Sequence, residues 1–239
     1  MSKPQIIIED FKGYHNSRDS QDKLDKLAFK DLSTIMIIPC YSGGIHPKVV
    51  QNWMGIATAM NQKFIRIFAT DMEVGAAYTE TINNILSNPE LSKFKFIFTL
   101  EHDNIVEPDV LLKIYPDMDK FDAIGSLYYT KGYEGKPMCY GSPKVQPLNF
   151  IPFEPEPNSV THCNGLGMGA TMFKMEMFKN KKAPNPLFET RQRYTPGVGM
   201  EAFTQDLLFF QEMGKLGYKF GCTTKTKTGH MDINSGQIW

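Results

Sequence analysis

The amino-acid sequence predicts an α/β fold in which helices flank a mostly parallel central sheet. Over residues 34–100, three short runs rich in β-branched and aromatic residues alternate with two segments of helical periodicity. Strands that are separated by helices pair in parallel through right-handed crossover connections. The loops after these strands are polar or rich in glycine, so we expect a ligand to bind at the carboxyl edge of the sheet.

The first half of the chain supplies most of the predicted sheet. Runs rich in apolar residues predict strands over residues 34–39, 64–69, 96–100 and 122–129. Helices are predicted to begin at His46–Pro47 and near Pro108, because proline is favoured in the first turn of a helix. Another helix is predicted over residues 75–86. The apolar face of the first helix is predicted to consist of Val49, Val50, Trp53, Ala57 and Met60.

The second half of the chain combines irregular segments with fewer regular elements. Residues 131–158 contain six prolines, too many for a regular core element, so loops and hairpins are predicted there. A strand is predicted over residues 169–175, a helix over 203–216 with Thr204 as its cap, and a last strand over 218–223 that leads to Gly229–His230. The helix carries an apolar stripe that consists of Phe203, Leu207, Phe210 and Met213.

The composition is that of a globular chain with no strong preference for a charged partner. Of the 239 residues, 41% are hydrophobic, and 26 basic side chains balance 26 acidic ones, so nucleic-acid binding would need a local basic patch. The four cysteines form no C-x-x-C pair, and no apolar run reaches the roughly 20 residues that cross a bilayer, so we expect a reduced chain in the cytoplasm. Residues 1–33 are predicted to form a peripheral arm or helix before one large domain, residues 34–239.

The most informative local pattern is Glu101-His102-Asp103, which directly follows the apolar run of residues 96–100. Acidic side chains at the tip of a buried strand lie where open α/β sheets bind their ligands. Two carboxylates two residues apart offer hard oxygen ligands to a divalent cation, and such a cation can hold a diphosphate. The competing interpretation is that the two acids only solvate the strand end or cap the next helix.

Three blocks, taken in order, resemble the GT-A fold nucleotide-sugar glycosyltransferases, most closely the small inverting-type and phage-encoded members related to family two. The resemblance covers roughly residues 34–232. The first block is Glu101-His102-Asp103, in the place of the family's Asp-x-Asp motif. The second is the glycine-rich segment 164–174, and the third is segment 204–219 together with Gly229–His230. Two residues depart from the family pattern: Glu101 replaces the first aspartate, and Gln205 replaces the glutamate before Asp206.

The resemblance implies a metal-dependent glycosyltransferase that moves a sugar from a UDP- or GDP-linked donor to a hydroxyl acceptor. Asp103 is the expected main ligand of Mn²⁺, with Mg²⁺ as the alternative ion, and Glu101 and His230 are the expected further ligands. Asp206 is the expected general base if the reaction inverts configuration. The domain would then consist of a nucleotide-binding half, residues 34–130, and an acceptor-side half, residues 131–239.

Further site residues are assigned from the resemblance and from their positions at strand ends. The expected nucleotide contacts are Pro39, Tyr41, Ser42, Asp71 and His102. Strand alternation would point His102 away from the two neighbouring acids, which favours a structural role for this side chain. The expected sugar pocket consists of Asn164, Gly165, Gly167 and Gln205. Glycines at alternate positions let a backbone approach a sugar ring closely.

Three alternative functions fit parts of the sequence. Some phage glycosyltransferases act on modified DNA bases, and the basic stretches 179–182 and 215–227 keep such an acceptor open, in which case the compartment is the host cytoplasm. A nucleotidyltransferase has a similar sheet, but the loop after the first strand carries no cation before Lys48, which counts against it. A non-catalytic nucleotide-sugar binding module is the third alternative, because Gln205 removes a carboxylate from the acceptor side.

Overall fold

The computed structural model describes residues 30–40, 44–195, 197 and 199–239. Most of the predicted N-terminal arm lies outside these residues, as do two expected nucleotide contacts, Tyr41 and Ser42. The described chain is an α/β structure with one large mixed sheet and helices on both of its faces. The predicted fold class is confirmed.

Thirteen strands and five α-helices make up the described part of the chain. The strands are Thr34–Cys40 (β1), Phe64–Thr70 (β2), Phe96–Leu100 (β3), Asn104–Val106 (β4), Ala123–Ser126 (β5), Cys139–Tyr140 (β6), Val160–Cys163 (β7), Gly165–Leu166 (β8), Ala170–Lys174 (β9), Arg191–Thr195 (β10), Gly199–Phe203 (β11), Phe220–Thr223 (β12) and Thr228–His230 (β13). The helices are Pro47–Met54 (α1), Val74–Ser87 (α2), Val110–Ile114 (α3), Met175–Phe178 (α4) and Gln205–Lys215 (α5), with 3₁₀ turns at Leu91–Lys93 and Tyr115–Asp117.

Seven strands form the central sheet in the order β2-β1-β3-β9-β5-β12-β7. The pairs β1–β2, β1–β3 and β5–β12 are parallel, as expected for strands joined by helical crossovers. β9 lies antiparallel between β3 and β5, and β7 lies antiparallel at the edge beside β12. Five of the seven strands therefore run in one direction, and their carboxyl ends meet at one edge of the sheet.

The first predicted helix is shorter than its apolar pattern suggested. α1 begins at Pro47, where His46 caps it by accepting a hydrogen bond from the backbone N–H of Lys48 at 3.2 Å, and it ends at Met54 before Gly55. Ala57 and Met60 therefore lie beyond the helix, and the Met60 side chain is exposed. Glycine is unfavourable inside a helix, which is consistent with the end of α1 before Gly55 although the apolar periodicity continues.

Two helices begin later than predicted, because a short strand precedes each of them. β4 follows the strand-end turn, so the helix expected near Pro108 begins only at Val110. Phe203 belongs to the β10–β11 hairpin, and α5 begins two residues later. The predicted last strand, residues 218–223, is followed by β13, which pairs with β4. This pairing places His230 beside the turn after β3.

The core consists of two layers, one on each face of the sheet. Along β1, Ile35 and Ile37 pack with α2 and α5 on one face, whereas Met36 and Ile38 pack with α1 and α3 on the other. Because both faces of β1 are covered, its residues are all buried and, apart from Thr34, apolar. The layer that contains α5 is rich in phenylalanine, and Phe209 stacks on Phe188 with ring centroids 4.4 Å apart.

Replacing Phe209 by alanine is expected to lower the free energy of unfolding by about 3–5 kcal/mol, because the ring is fully buried and the cavity left behind cannot collapse completely. Urea unfolding followed by circular dichroism measures this loss. Met54→Ala is the control, since Met54 is 80% exposed and its truncation should change stability by less than about 0.5 kcal/mol. Equal losses in the two variants would contradict this description of the core.

Candidate functional site

A cleft of about 280 Å³ lies at the carboxyl edge of the sheet. Its walls come from the ends of β1, β2 and β3 and from the first residues of α2 and α5. The lining residues are Pro39, Cys40, Met72, Val74, Glu101, His102, Asp103 and Gln205. The cleft therefore lies where ligands bind in open α/β sheets, as the positions of the strand ends predicted.

The acidic motif belongs to a turn and not to the end of the strand. β3 ends at Leu100, the backbone N–H of Glu101 donates to the carbonyl of Gly169 at 3.2 Å, and the N–H of Asn104 closes the turn on the carbonyl of Glu101 at 3.1 Å. Strand alternation consequently does not apply to His102. All three residues of the motif line the cleft.

Asp103 is the centre of a small charged cluster. Its Oδ2 lies 2.6 Å from Nζ of Lys131 and 3.3 Å from Nε2 of His230. The β4–β13 pairing brings His230 here, and the backbone N–H of Met231 donates to the carbonyl of Asp103 at 2.7 Å. Burial alone would raise the pKa of Asp103, but the hydrogen bonds and positive charges of His230 and Lys131 lower it to about 2. Asp103 is therefore ionised throughout the neutral range.

A hydrogen bond to the backbone determines which ring nitrogen of His230 carries a proton. Nδ1 lies 2.9 Å from the carbonyl oxygen of Tyr129, which can only accept a hydrogen bond, so Nδ1 carries a proton. Nε2 then points towards the carboxylate of Asp103, and the ring edge packs against Tyr128 with centroids 5.5 Å apart. A backbone carbonyl that orients the far nitrogen in this way is typical of histidines that bind metals.

Burial sets the direction of the pKa shift at Glu101, but not at Asp103. Burial, followed by the negative charges of Asp103 and Asp206, raises the pKa of Glu101 to about 7, although His230 and the hydroxyl of Tyr78 act in the opposite direction. Tyr78, a fully buried residue of α2, donates to Oε1 of Glu101 at 3.3 Å. The charge of Asp206 contributes to the pKa of Glu101 because Glu101 lies near the start of α5 as well as near Asp103.

Asp206 is a buried carboxyl group in the first turn of α5. Its Oδ1 accepts from the backbone N–H of Leu207 at 2.9 Å, and burial raises its pKa above the ordinary aspartate range. Thr204 is the N-terminal cap residue of α5, as predicted, but its side chain makes no hydrogen bond to the helix backbone. Its hydroxyl bonds to the carboxylate of Asp206 instead. Keeping a carboxylate buried costs free energy, which is more typical of functional sites than of helix capping.

The residues fit a divalent cation only in part. No group of three or more His, Cys, Asp and Glu side chains within the described ranges is arranged to hold a metal ion, so the expected triad of Glu101, Asp103 and His230 is not assembled. Asp103 Oδ2 and His230 Nε2 are 3.3 Å apart, close to the separation of about 3 Å between adjacent ligands of an octahedral ion. One carboxylate and one imidazole suit Mn²⁺ or Mg²⁺ that completes its shell with phosphate and water oxygens.

The structure divides the expected sugar-pocket residues. Gln205 lines the cleft and accepts a hydrogen bond from the hydroxyl of Thr190 at 3.1 Å. Asn164 lies in a separate groove beside α5, where its amide donates to the carbonyl of Asn149 at 2.9 Å. Gly165 and Gly167 are buried packing positions that do not line the cleft. A Cβ at Gly167 would collide with the hydroxyl of Tyr128, so this glycine permits close packing inside the chain.

Three of the expected nucleotide-contact residues, Pro39, Asp71 and His102, are described, and Pro39 and His102 line the cleft whereas Asp71 does not. Asp71 follows β2 with a positive φ of 58° and an exposed side chain. Sequence reasoning missed Met72, two residues after β2, and Val74, the first residue of α2, although both lie at this edge of the sheet. It also missed Lys131 and Tyr78, which no local pattern connects with Asp103 or Glu101.

Comparison with known proteins supports the fold and no more. No protein-family model matches the sequence, and no curated protein matches it. The crystal structure of A197 from STIV aligns with a TM-score of 0.56 and 16% identity, over 86% of this chain and 92% of that protein. The crystal structure of GalNAc-T7 with UDP, GalNAc and Mn²⁺ aligns with a TM-score of 0.54 and 9% identity, over 85% of this chain. The chain spans 44% of that second protein.

These likenesses, together with the seven-stranded sheet, show a GT-A-like fold. No helix in the described part of the chain is both long enough and apolar enough to cross a bilayer.

Proposed function

We propose that this chain is a glycosyltransferase that transfers a sugar from a nucleoside-diphosphate donor, UDP- or GDP-linked, to a hydroxyl acceptor, with Mn²⁺ or Mg²⁺ bound at Asp103. One observation carries the proposal. Glu101 and Asp103 line one cleft together with Gln205 of α5, His230 lies 3.3 Å from Asp103, and the pKa of Glu101 responds to the charges of both Asp103 and the buried Asp206 behind the cleft wall. Buried acids gathered at the ligand-binding edge of a GT-A-like sheet favour chemistry over structural support.

Asp103 and His230 are the residues that would hold the cation. A bound cation would supply positive charge to the diphosphate leaving group as its bond to the sugar breaks. Glu101 would act as a further ligand, directly or through water, and its raised pKa makes it the weaker one at neutral pH. We assign the nucleotide to the ends of β1 and β2, where Pro39 and Asp71 lie.

Asp206 would act as the general base that deprotonates the acceptor hydroxyl if the transfer inverts configuration. The acceptor hydroxyl forms a bond to the anomeric carbon, the bond from that carbon to the diphosphate oxygen breaks, and the hydroxyl proton passes to the carboxylate of Asp206. A carboxylate with a raised pKa is a stronger base than an exposed one, so burial of Asp206 favours this proton transfer. Gln205, on the same helix turn, lines the cleft and would contact the donor or acceptor sugar.

The proposal predicts that UDP or GDP raises the melting temperature of the protein only when Mn²⁺ is present. A ligand that binds the folded state alone stabilises it by about 2.7 kcal/mol at a hundredfold excess over its Kd, which corresponds to a shift of several degrees for a chain of this size. A thermal-shift screen of nucleoside diphosphates, each with Mn²⁺ and with EDTA, measures the effect. The matching nucleoside monophosphates are the control ligands, since they lack the second phosphate.

Product release then tests catalysis separately from binding. The selected nucleotide sugar is incubated with the protein and Mn²⁺, and the free nucleoside diphosphate is measured over time. Release of the nucleotide supports the transferase. Nucleotide binding without hydrolysis or transfer for any donor would refute the enzyme and leave a nucleotide-sugar binding module.

A further inference from the structure

Lys131 makes the shortest contact with Asp103, although the resemblance gives no role to a lysine at this position. Its Nζ lies 2.6 Å from Asp103 Oδ2, the same oxygen that faces Nε2 of His230 at 3.3 Å. The Asp103 side chain is 15% exposed, whereas that of Lys131 is 35% exposed. The ammonium group therefore approaches a nearly buried carboxylate from the solvent side of the cluster.

The backbone that carries Lys131 is fixed close to His230. Residues 129–137 form a hairpin that is closed by two hydrogen bonds between Thr130 and Lys136. The backbone N–H of Thr130 donates to the carbonyl of Lys136 at 2.9 Å, and the backbone N–H of Lys136 donates to the hydroxyl of Thr130 at 2.8 Å. Tyr129, at the base of the hairpin, accepts the hydrogen bond from His230 Nδ1. The hairpin and the histidine are thus held together, while the long lysine side chain retains rotatable bonds that allow its ammonium group to leave Asp103.

An ammonium group and a divalent cation cannot both remain on this oxygen. An ion about 2.1 Å from Oδ2 would lie no more than about 5 Å from an Nζ that is 2.6 Å from the same atom. At that distance the two positive charges repel one another, and the low exposure of Asp103 limits screening by water. Binding of the ion therefore requires the lysine to move.

We propose that Lys131 competes with the divalent cation for Asp103, so that the lysine neutralises this carboxylate whenever the cation is absent and sets the affinity for the cation. This inference deepens the proposed function, because it uses the same cation site. In the absence of a cation the ammonium group keeps the buried charge of Asp103 paired, and a buried charge without a partner would be costly. The cation must then displace a charge-assisted hydrogen bond in addition to water.

The test is a titration of the full chain with Mn²⁺ alone, without any nucleotide, in which the free ion is followed by electron paramagnetic resonance. Lys131→Met is expected to lower the Kd for Mn²⁺ about three- to tenfold, because the competing charge is gone. Lys131→Gln should give a similar increase in affinity and guards against poor folding of the methionine variant. Lys131→Arg should bind Mn²⁺ like the wild type, since a guanidinium group also pairs with a carboxylate.

Lys136→Met is the matched control, because it removes the same charge from the same hairpin at an exposed position. Its Kd for Mn²⁺ should stay within about twofold of the wild-type value, since exposed charges are screened. Unchanged or weaker Mn²⁺ binding by both Lys131→Met and Lys131→Gln would overturn the inference, as would an equal gain in Lys136→Met. The comparison needs no nucleotide, so a failure of every nucleoside diphosphate to bind would refute the proposed function without deciding the role of Lys131.

Discussion

Replacing Asp103 by asparagine is expected to weaken Mn²⁺ binding by at least about 100-fold and to lower kcat/KM by a similar factor. Loss of residues that merely support a metal ligand already costs about 10–100-fold in affinity, and Asp103 is the residue proposed to bind the ion itself. Its carboxylate is ionised at neutral pH and shares the site with His230. Titration with Mn²⁺ and steady-state kinetics with the selected nucleotide sugar measure the two effects.

The same substitution should change how stability depends on pH. Burial opposes ionisation of Asp103, but His230 and Lys131 lower its pKa to about 2, below the ordinary value of 3.8. A carboxyl group with a lowered pKa stabilises the folded state above its unfolded pKa, and this contribution is lost as the pH falls through the folded pKa. Between about pH 4 and pH 2 the wild type should therefore lose on the order of 2 kcal/mol that Asp103→Asn does not lose.

Two further variants separate metal binding from general charge effects. Asp119→Asn removes one negative charge from a side chain that is 68% exposed beside Lys30, so its Mn²⁺ affinity should match the wild type. Glu101→Gln should weaken Mn²⁺ binding less than Asp103→Asn does, because the pKa of Glu101 is about 7 and its charge is only partly developed at neutral pH. A larger loss in Glu101→Gln than in Asp103→Asn would reverse the assignment of the main ligand.

The sequence predicted the strands whose residues form an apolar run, including the edge strand β2, and missed the edge strand β7. β1 and β3 are almost entirely apolar because helices cover them on two sides, and their predicted bounds agree with the structure within one residue. β7 lies at the sheet edge with partly exposed residues, so its apolar signal is weak. The antiparallel direction of β9 was not predicted, because an apolar run does not specify which way a strand points.

The candidate site was predicted where it depends on strand ends and missed where it depends on the tertiary fold. Glu101, Asp103 and Pro39 follow from the rule that ligands bind beyond the carboxyl ends of strands. Lys131 is 28 residues from Asp103, and only the hairpin of residues 129–137 brings them together. The spacing of Gly165 and Gly167 fits close approach to a ligand and close packing inside the chain equally well, and the structure shows packing against Phe150 and Tyr128.

Replacing Asp206 by asparagine is expected to lower kcat by about 10²–10⁴-fold with little change in Mn²⁺ affinity, because loss of a general base removes a proton acceptor that acts in the transition state. Asparagine has nearly the same shape and keeps an oxygen that can accept from the N–H of Leu207. The matched control is Glu212→Gln, which removes a carboxylate from the same helix, where it pairs with Lys215 near the surface. That variant should retain the wild-type kcat.

Stability and pH dependence distinguish a catalytic Asp206 from a structural one. Burial raises the pKa of Asp206, so its ionised form is less favourable in the folded chain than in the unfolded chain, and that cost grows as the pH rises through the unfolded pKa. Asp206→Asn should therefore be at least as stable as the wild type at neutral pH, as measured by urea unfolding, although it is nearly inactive. In the wild type, kcat should fall with acidification at a pH above the ordinary aspartate range, and the residual activity of the variant should lack this step. A fully active Asp206→Asn protein, or one that loses activity only because it unfolds, would exclude Asp206 as the base.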